Sequence, residues 1–231
     1  MFLKWMPTTL GMPAAPMASP AADRPPRPRD VLAVFAKAPV AGQVKTRLAA
    51  ALGKDAALRI YRDLGRRVVA EAIEPRGFRT VVWFAPRHRG AVVRRWLANL
   101  DVEEFQAQRG AALGARLIAA FARHFEEGAS RVAIVGTDCP GIRPRLVRRA
   151  LRLLATNDVA LGPACDGGYY LIALRAPAPA LFTAIPWSTP MVLRRTLARA
   201  AEQRLSVALL PAMRDVDTAS DARAHGLVPR C

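Results

Sequence analysis

The sequence predicts an α/β sandwich on a mostly parallel sheet, and three observations carry that expectation. Short apolar runs alternate with helix-length amphipathic segments, the pattern of strands joined by crossover helices. The first run, Val31-Leu-Ala-Val-Phe-Ala36, is apolar without alternation, as in a strand buried on both faces. Polar, glycine-containing motifs directly follow such runs, and in parallel sheets ligands sit beyond the C-terminal strand ends, where the chain order reverses.

Taken in order, residues 1–29 hold seven of the 19 prolines and no helical or alternating period, so they read as a disordered extension. Residues 30–224 read as one catalytic domain and 225–231 as a tail. After the first strand, Pro39 and Gly42 mark a loop. Over 54–73, Ala57, Ile60, Tyr61, Leu64, Val68 and Ala72 recur at helical steps, and Pro75-Arg-Gly77 stops the helix. Thr80–Ala85 reads as a second strand and 90–98 as a short helix. Residues 114–127 form a helix with Leu117, Phe121 and Phe125 on one face, ended by Gly128. Arg131–Val135 is a third buried strand, followed by a helix over 143–155. Asp158–Gly162 and Tyr169–Leu174 are two further strands. A helix over 189–203, a strand over Ser206–Leu210 and a helical turn over Thr218–Arg223 complete the chain.

Composition bounds the function. The chain has 231 residues, is 52% hydrophobic and carries 35 Lys+Arg against 18 Asp+Glu, a formal charge of +17. That excludes a disordered chain and a small disulfide scaffold. Only Lys4, Lys37, Lys45 and Lys54 are lysines; the arginines scatter along helix faces without aromatic interleaving. This reads as a solvated surface and not a nucleic-acid interface, though it would attract an anionic small substrate. No run is long and apolar enough for stable membrane insertion. Cys139, Cys165 and Cys231 are odd in number and lack metal-ligand spacing, so free thiols in a reducing cytoplasm are expected. His88, His124 and His225 share no ligand spacing and read as surface or incidental residues.

Four motifs carry chemistry. Lys37-Ala-Pro-Val-Ala-Gly-Gln-Val-Lys-Thr-Arg-Leu48 follows the first strand: Gly42 permits a tight turn, and Lys45 and Arg47 project where a helix begins, suiting phosphates. The Gly42-to-Lys45 spacing is too short for a Walker A loop, and an ordinary basic loop would look the same. Asp138, in Val135-Gly-Thr-Asp-Cys-Pro140, leaves a buried strand where a carboxylate would hold Mg²⁺ or Mn²⁺ on a diphosphate, or else cap the next helix. In Gly162-Pro-Ala-Cys-Asp-Gly-Gly-Tyr-Tyr170, Asp166 reads as a metal or acceptor ligand, and Gly167 and Gly168 as a close backbone approach. Asp-Gly is equally a hairpin dipeptide. In Asp215-Val-Asp-Thr-Ala-Ser-Asp221, Asp215 and Asp217 are read as facing opposite sides, one to the site, with Thr218 and Asp221 near a capping box. Ser188 or Thr189 is expected to cap the helix after Pro186, and Trp187 to be core or a wall for a ring. Gln108 opens a polar loop before a helix.

Together and in this order, FAKAPVAGQVKTRL, Gln108 with Leu113-Gly-Ala-Arg116, IVGTDCP, LGPACDGGYYLIAL, PWST and DVDTASD resemble a bacterial family of small GT-A-type glycosyltransferase-like proteins, some linked with arsenosugar biosynthesis. The resemblance spans about residues 31–223. The wider superfamily includes molybdopterin guanylyltransferase and 2-phospholactate nucleotidyltransferase, whose Lys-Ser-Arg-Leu segment is similar to Lys45-Thr-Arg-Leu48. The resemblance implies a nucleotide-diphospho-sugar transferase-like three-layer α/β/α sandwich, with base and phosphates over the loop holding Lys37, Gly42, Lys45 and Arg47. It implies Asp138 and Asp217 as metal ligands and Asp166, Gly167, Gly168 and Tyr169 as the sugar or acceptor loop. This chain has Cys139 and Gly141 where the family usually carries serine and an acidic residue, leaving Asp138 alone on its strand.

The expected function is a metal-dependent glycosyltransferase that uses a nucleotide-sugar donor and a small-molecule acceptor. The metal, held by Asp138, would stabilise the departing diphosphate together with Lys45 and Arg47, and Asp166 would serve as base or orient the acceptor; Gln108, Tyr169 and Trp187 would complete the substrate contacts. Two alternatives stand beside it. One is a nucleotidyltransferase using a nucleoside triphosphate; the other is a non-catalytic nucleotide-sugar binding protein.

Overall fold

The computed structural model describes residues 29–74 and 77–228. Most of the expected proline-rich extension, Pro75 and Arg76 of the expected helix stop, and 229–231 of the expected tail lie outside the described residues. The order is β1 (Asp30–Lys37), α1 (Thr46–Leu52), α2 (Lys54–Ala72), β2 (Arg79–Ala85), α3 (Gly90–Trp96), β3 (Glu104–Ala107), α4 (Leu113–Glu126), β4 (Arg131–Val135), α5 (Pro144–Leu153), β5 (Val159–Pro163), β6 (Tyr169–Leu174), α6 (Val192–Glu202), β7 (Val207–Leu209) and α7 (Ala219–Ala224).

The seven strands form one sheet in the order β3-β2-β1-β4-β6-β5-β7. β1 pairs in parallel with β2 and β4, β2 with β3, and β5 with β7, whereas β6 runs antiparallel between β4 and β5. Strand side chains alternate between two cores. Leu32 and Val34 of β1 join Leu64 and Val68 of α2 and Val147 and Leu151 of α5 on one face; Val31 and Ala33 join Leu117 and Phe121 of α4 and Ala200 of α6 on the other. This is the three-layer α/β/α sandwich expected from the sequence.

From β1 the chain builds outward to β2 and β3, then returns to place β4 on the other side of β1. The C-terminal ends of β1 and β4 therefore flank the switch point where such sheets bind ligands. The loop after β1 carries Lys45, and the loop after β4 carries Asp138. Antiparallel β6 brings the Asp166 turn to the same end, because Leu171 lies opposite Val135.

Several elements differ from expectation. β3 is an additional edge strand: only four residues long and half-buried, it shows no apolar run and forms by pairing with β2. α1 is a separate helix, split from α2 at Gly53, whose φ of +84° breaks the helical path. α6 starts at Val192 and has no side-chain cap; the Thr189 hydroxyl instead donates to the Pro186 carbonyl and accepts from the Met191 amide. The capping box at α7 forms, with Thr218 and Asp221 bonding reciprocally. Past α7, the Leu227 amide bonds the Ala222 carbonyl, and Leu227 and Val228 pack on the larger core.

His124 is neither a surface nor an incidental residue. It is fully buried on α4, and its Nε2 accepts a hydrogen bond from Trp83 Nε1 at 3.0 Å. Burial, then the neighbouring Arg79 guanidinium, lower its pKa to about 4, so it is neutral in the core.

Candidate functional site

The site forms where three loops meet. Lys45 stands at the N-terminus of α1 with φ 48° and ψ 48°, a left-handed conformation uncommon for a side chain of this kind. That turn sends its ammonium inward: the side chain is 5% exposed, with Nζ 2.7 Å from Asp138 Oδ1 and 3.0 Å from Asp217 Oδ1. Burial alone would depress the lysine pKa; the Asp138 and Asp217 carboxylates more than offset it, and the value stands above the ordinary one. The two aspartates, far apart in sequence, thus meet on one cation. Their side chains remain 47% and 39% exposed, so the carboxylate pair opens to solvent while the lysine fills its inner side.

Asp138 does not cap α5, whose N-cap Arg143 has no side-chain cap bond. Its main-chain carbonyl instead accepts from the Val216 amide at 3.0 Å, which draws the Asp215–Asp217 segment to the end of β4. Asp215 and Asp217 do not face opposite sides. In extended chain, residues two apart share a side, and here it is Val216 between them that is buried in the core. Asp215 Oδ1 is buried without a hydrogen-bond partner among the described residues. Burial, then the charges of Asp138, Asp166 and Asp217, push its pKa up to about 6, with Lys45 partly opposing. Asp215 is thus a member of the acidic group that the sequence reading left unassigned.

Tyr61 is the second such residue. From α2 its hydroxyl donates to the Lys37 carbonyl and accepts from the Lys37 amide, at 2.9 and 3.0 Å. Burial pushes its pKa up to about 12, opposed by a hydrogen bond with Thr137. Tyr61 therefore fastens α2 to the end of β1. In the sequence it shows only as one of the apolar positions of a helix.

The other sequence-derived candidates divide. Arg47 is 76% exposed, with Nη1 3.7 Å from Asp217 Oδ2, at the rim of the carboxylate pair. Gly42 turns the loop at φ +74°, beneath the Lys54 side chain. Lys37 is fixed through its backbone and has an exposed side chain. α1 is only seven residues long, and its N-cap Lys45 makes no side-chain cap bond.

Asp166 accepts from the Gly168 amide at 2.9 Å and closes the β5–β6 turn, so this segment is a hairpin. Gly167, at φ +89°, packs directly on Pro190, where a Cβ would collide with the proline carbonyl. At Gly167 the close approach is thus to the protein's own chain, whereas Gly168 has only the Asp166 carboxylate beside it. Tyr169 packs edge-on against Trp187, at a ring separation of 6.4 Å, and burial pushes its hydroxyl pKa up, with Thr196 opposing. Trp187 covers Gly114 at the start of α4. Gln108 donates to the Trp83 carbonyl at 2.9 Å and ties β3 to β2. The contacts of Gln108, Tyr169 and Trp187 thus belong to the β2–β3 edge and the α4–α6 face, not to the Lys45 cluster.

Cys139 is a free thiol buried next to the site, with Sγ 3.7 Å from Met213 Sδ; Cys165 is free and exposed. Burial, then the Asp215 carboxylate, push the Cys139 thiol up to about 12. No helix among the described residues is long and apolar enough to cross a membrane.

No curated protein matches the chain. The chain is similar to a protein of known structure from Desulfovibrio desulfuricans G20, described as a proposed nucleotide-diphospho-sugar transferase: 33% identity, 86% of each chain covered, TM-score 0.79. Two more distant structures share the fold. One is a Mycobacterium sp. strain JC1 homologue of the tuberculosis protein Rv0371c, at 15% identity over 86% of this chain and 96% of that one, TM-score 0.54. The other is 4-diphosphocytidyl-2C-methyl-D-erythritol synthase from Anaerococcus prevotii DSM 20548, at 11% identity over 86% and 98%, TM-score 0.53. The architecture is thus of the nucleotide-diphospho-sugar transferase-like type. Residues 68–189 match the bacterial family DUF2064, described as uncharacterized proteins conserved in bacteria, and the chain belongs to that family.

Proposed function

We propose that the protein is a divalent-metal-dependent transferase acting at the diphosphate of a nucleotide-sugar and passing the sugar to a small acceptor. The observation that supports this is the meeting of Asp138 and Asp217 on Lys45 at the sheet's switch point. The 33% identical protein from Desulfovibrio desulfuricans, itself a proposed nucleotide-diphospho-sugar transferase, favours the sugar donor.

The donor set suits a hard cation. Among the described residues, no three His, Cys, Asp or Glu side chains gather into a closed metal cage. Mg²⁺ and Mn²⁺ do not need one, because they are commonly held by one or two carboxylates plus substrate phosphates and water. Asp138 and Asp217 would hold the ion. When bound, it would neutralise charge developing on the departing diphosphate. Lys45 and Arg47 would bind the phosphate oxygens from the inner side and the rim. Tyr61 would hold the end of β1 in place, and Asp166, fixed by the Gly168 amide, would orient the acceptor hydroxyl.

Nucleotidyl transfer is the second reading. It is favoured by the packing of Gly167 on Pro190, which takes that glycine away from any close approach to a sugar ring. One experiment separates the two: incubate the protein with Mn²⁺ and either a panel of nucleotide-sugars or a panel of nucleoside triphosphates. Slow release of a nucleoside diphosphate from a nucleotide-sugar is expected, lost in Asp138→Ala and weakened in Lys45→Ala. Pyrophosphate release from a triphosphate with a phosphorylated co-substrate, and no nucleotide-sugar turnover, would assign nucleotidyl transfer. Binding of neither ligand class would overturn both.

A further inference from the structure

The Lys45 ammonium is the cation that Asp138 and Asp217 share in the ligand-free protein. Its contacts of 2.7 and 3.0 Å are to one oxygen of each carboxylate, so a divalent cation bridging those same two oxygens at about 2.0–2.1 Å would compete with it for them. A divalent cation placed there with the ammonium unmoved would face a like charge at contact distance. We propose that Lys45 is the built-in counter-ion of the ligand-free site, closing Asp138 and Asp217 to divalent cations until a diphosphate-bearing ligand draws the ammonium away. The inference rests on the reading of Asp138 and Asp217 as metal ligands.

Three features support it. The lysine enters from below, 5% exposed, while the carboxylates keep solvent-facing edges, so a ligand approaches from the side opposite the ammonium. Arg47, exposed at the rim and 3.7 Å from Asp217, offers the first contact for an incoming anion. Val44 and Leu48 are buried in the core, and the Lys45 carbonyl accepts from the Ala49 amide, so the backbone stays anchored while the flexible four-carbon stem of Lys45 re-aims its ammonium. Once Lys45 turns to phosphate, Asp138 and Asp217, with Asp215 close by, have lost their shared cation, and a divalent ion restores the balance. Cation and diphosphate therefore bind with positive coupling, each completing the site for the other.

The test is Mn²⁺ binding followed by electron paramagnetic resonance, with and without inorganic pyrophosphate, for the full chain and for Lys45→Met, Asp138→Asn and Asp217→Asn. The parent is expected to bind Mn²⁺ weakly alone and more tightly with pyrophosphate. Lys45→Met is expected to bind Mn²⁺ alone roughly tenfold more tightly or better, because a buried competing charge is gone, and to gain little from pyrophosphate. Unchanged or weaker Mn²⁺ binding by Lys45→Met, with binding still reduced by Asp138→Asn, would overturn the counter-ion role and leave the metal ligands standing. Binding unaffected by both aspartate substitutions would remove the metal site, and the counter-ion with it. If Lys45→Met does not fold, acylation of the parent mapped by peptide mass serves instead. Lys45 is expected to react far more slowly than exposed Lys54, with little change on Mn²⁺ alone and a changed rate when Mn²⁺ and pyrophosphate are added together; an unchanged rate with both present would overturn the inference.

Discussion

The Val216 amide donates to the Asp138 carbonyl at 3.0 Å, and this bond builds the carboxylate pair. It joins the chain after β7 to the end of β4, while the Val216 side chain anchors the segment in the core. Asp217, on one side, then meets Asp138 on Lys45, and Asp215, on the other, lies within reach of both their charges. The acidic group is held by backbone and apolar packing, which fixes carboxylates that would otherwise repel one another.

Gly167→Ala is expected to destabilise the fold by about 2–4 kcal/mol, since it combines a left-handed φ of +89° with a collision against the Pro190 carbonyl. Gly136→Ala, close by after β4, has nothing within 4 Å of the added Cβ and an ordinary φ, so it is expected to be tolerated. Thermal unfolding of both variants checks this. Equal losses would mean that the Gly167 turn moves to accept a side chain.

The sequence made the central strands legible because β1, β2 and β4 are buried on both faces and read as unbroken apolar runs. β3 was not legible: a four-residue edge strand owes its form to β2 and to ion pairs such as Arg123–Glu104, which leave no mark in local pattern. Of the site, the nearness of Asp138 and Asp217 was legible, because both follow strands of a doubly wound sheet. Lys45 between them was not, since no sequence signal announces a lysine at φ 48° aimed inward. Tyr61 was hidden because its partners are main-chain groups that only the topology brings to it. His124 could have been found: it lies seven residues after Leu117 and three after Phe121, on the same buried helix face.

His124 sets a pH dependence with a definite sign. Its folded pKa, about 4, lies below the ordinary 6.5, so the unfolded chain binds the extra proton between these values. Stability is then complete above pH 6.5 and falls as pH drops toward 4, by about 3 kcal/mol from this residue. His124→Phe should flatten that part of the curve. It should also lower stability at pH 7.5 by about 1–3 kcal/mol, because Trp83 Nε1 loses its acceptor. Urea unfolding from pH 4 to 7.5 measures both; identical slopes for parent and variant would show that His124 does not titrate as assigned.

The two described cysteines should differ in reactivity. Cys165 is exposed, whereas Cys139 is buried with its thiol pushed up to about 12. At pH 8 iodoacetamide should label Cys165 in the native protein and Cys139 only in denaturant. Cys139→Ala should keep nucleotide and metal binding, at a packing cost of about 1 kcal/mol. Native labelling of Cys139 would show that the loop after β4 opens readily.

The Lys45 cluster should respond non-additively to removal of its charges. Asp138→Asn or Asp217→Asn alone leaves the buried ammonium one carboxylate. Both carboxylates are more than a third exposed, so each ion pair is screened and worth about 1 kcal/mol or less. Each single substitution also relieves repulsion within the acidic group, where Asp215 feels both charges. The single variants should therefore lie within about 1 kcal/mol of the parent. The double variant is different, because it leaves an ammonium of 5% exposure with neither carboxylate partner. Breaking a buried ion pair costs about 3–5 kcal/mol when the remaining charge stays buried. A movement of Lys45 into water would lower that cost, so the expected loss is about 2–3 kcal/mol, more than the sum of the single losses. Adding Lys45→Met to the double variant removes the stranded charge and should recover most of the loss. Chemical denaturation of the four variants and the parent completes the cycle. Additive losses, or no recovery with Lys45→Met, would mean that Lys45 is not held by these two aspartates in solution.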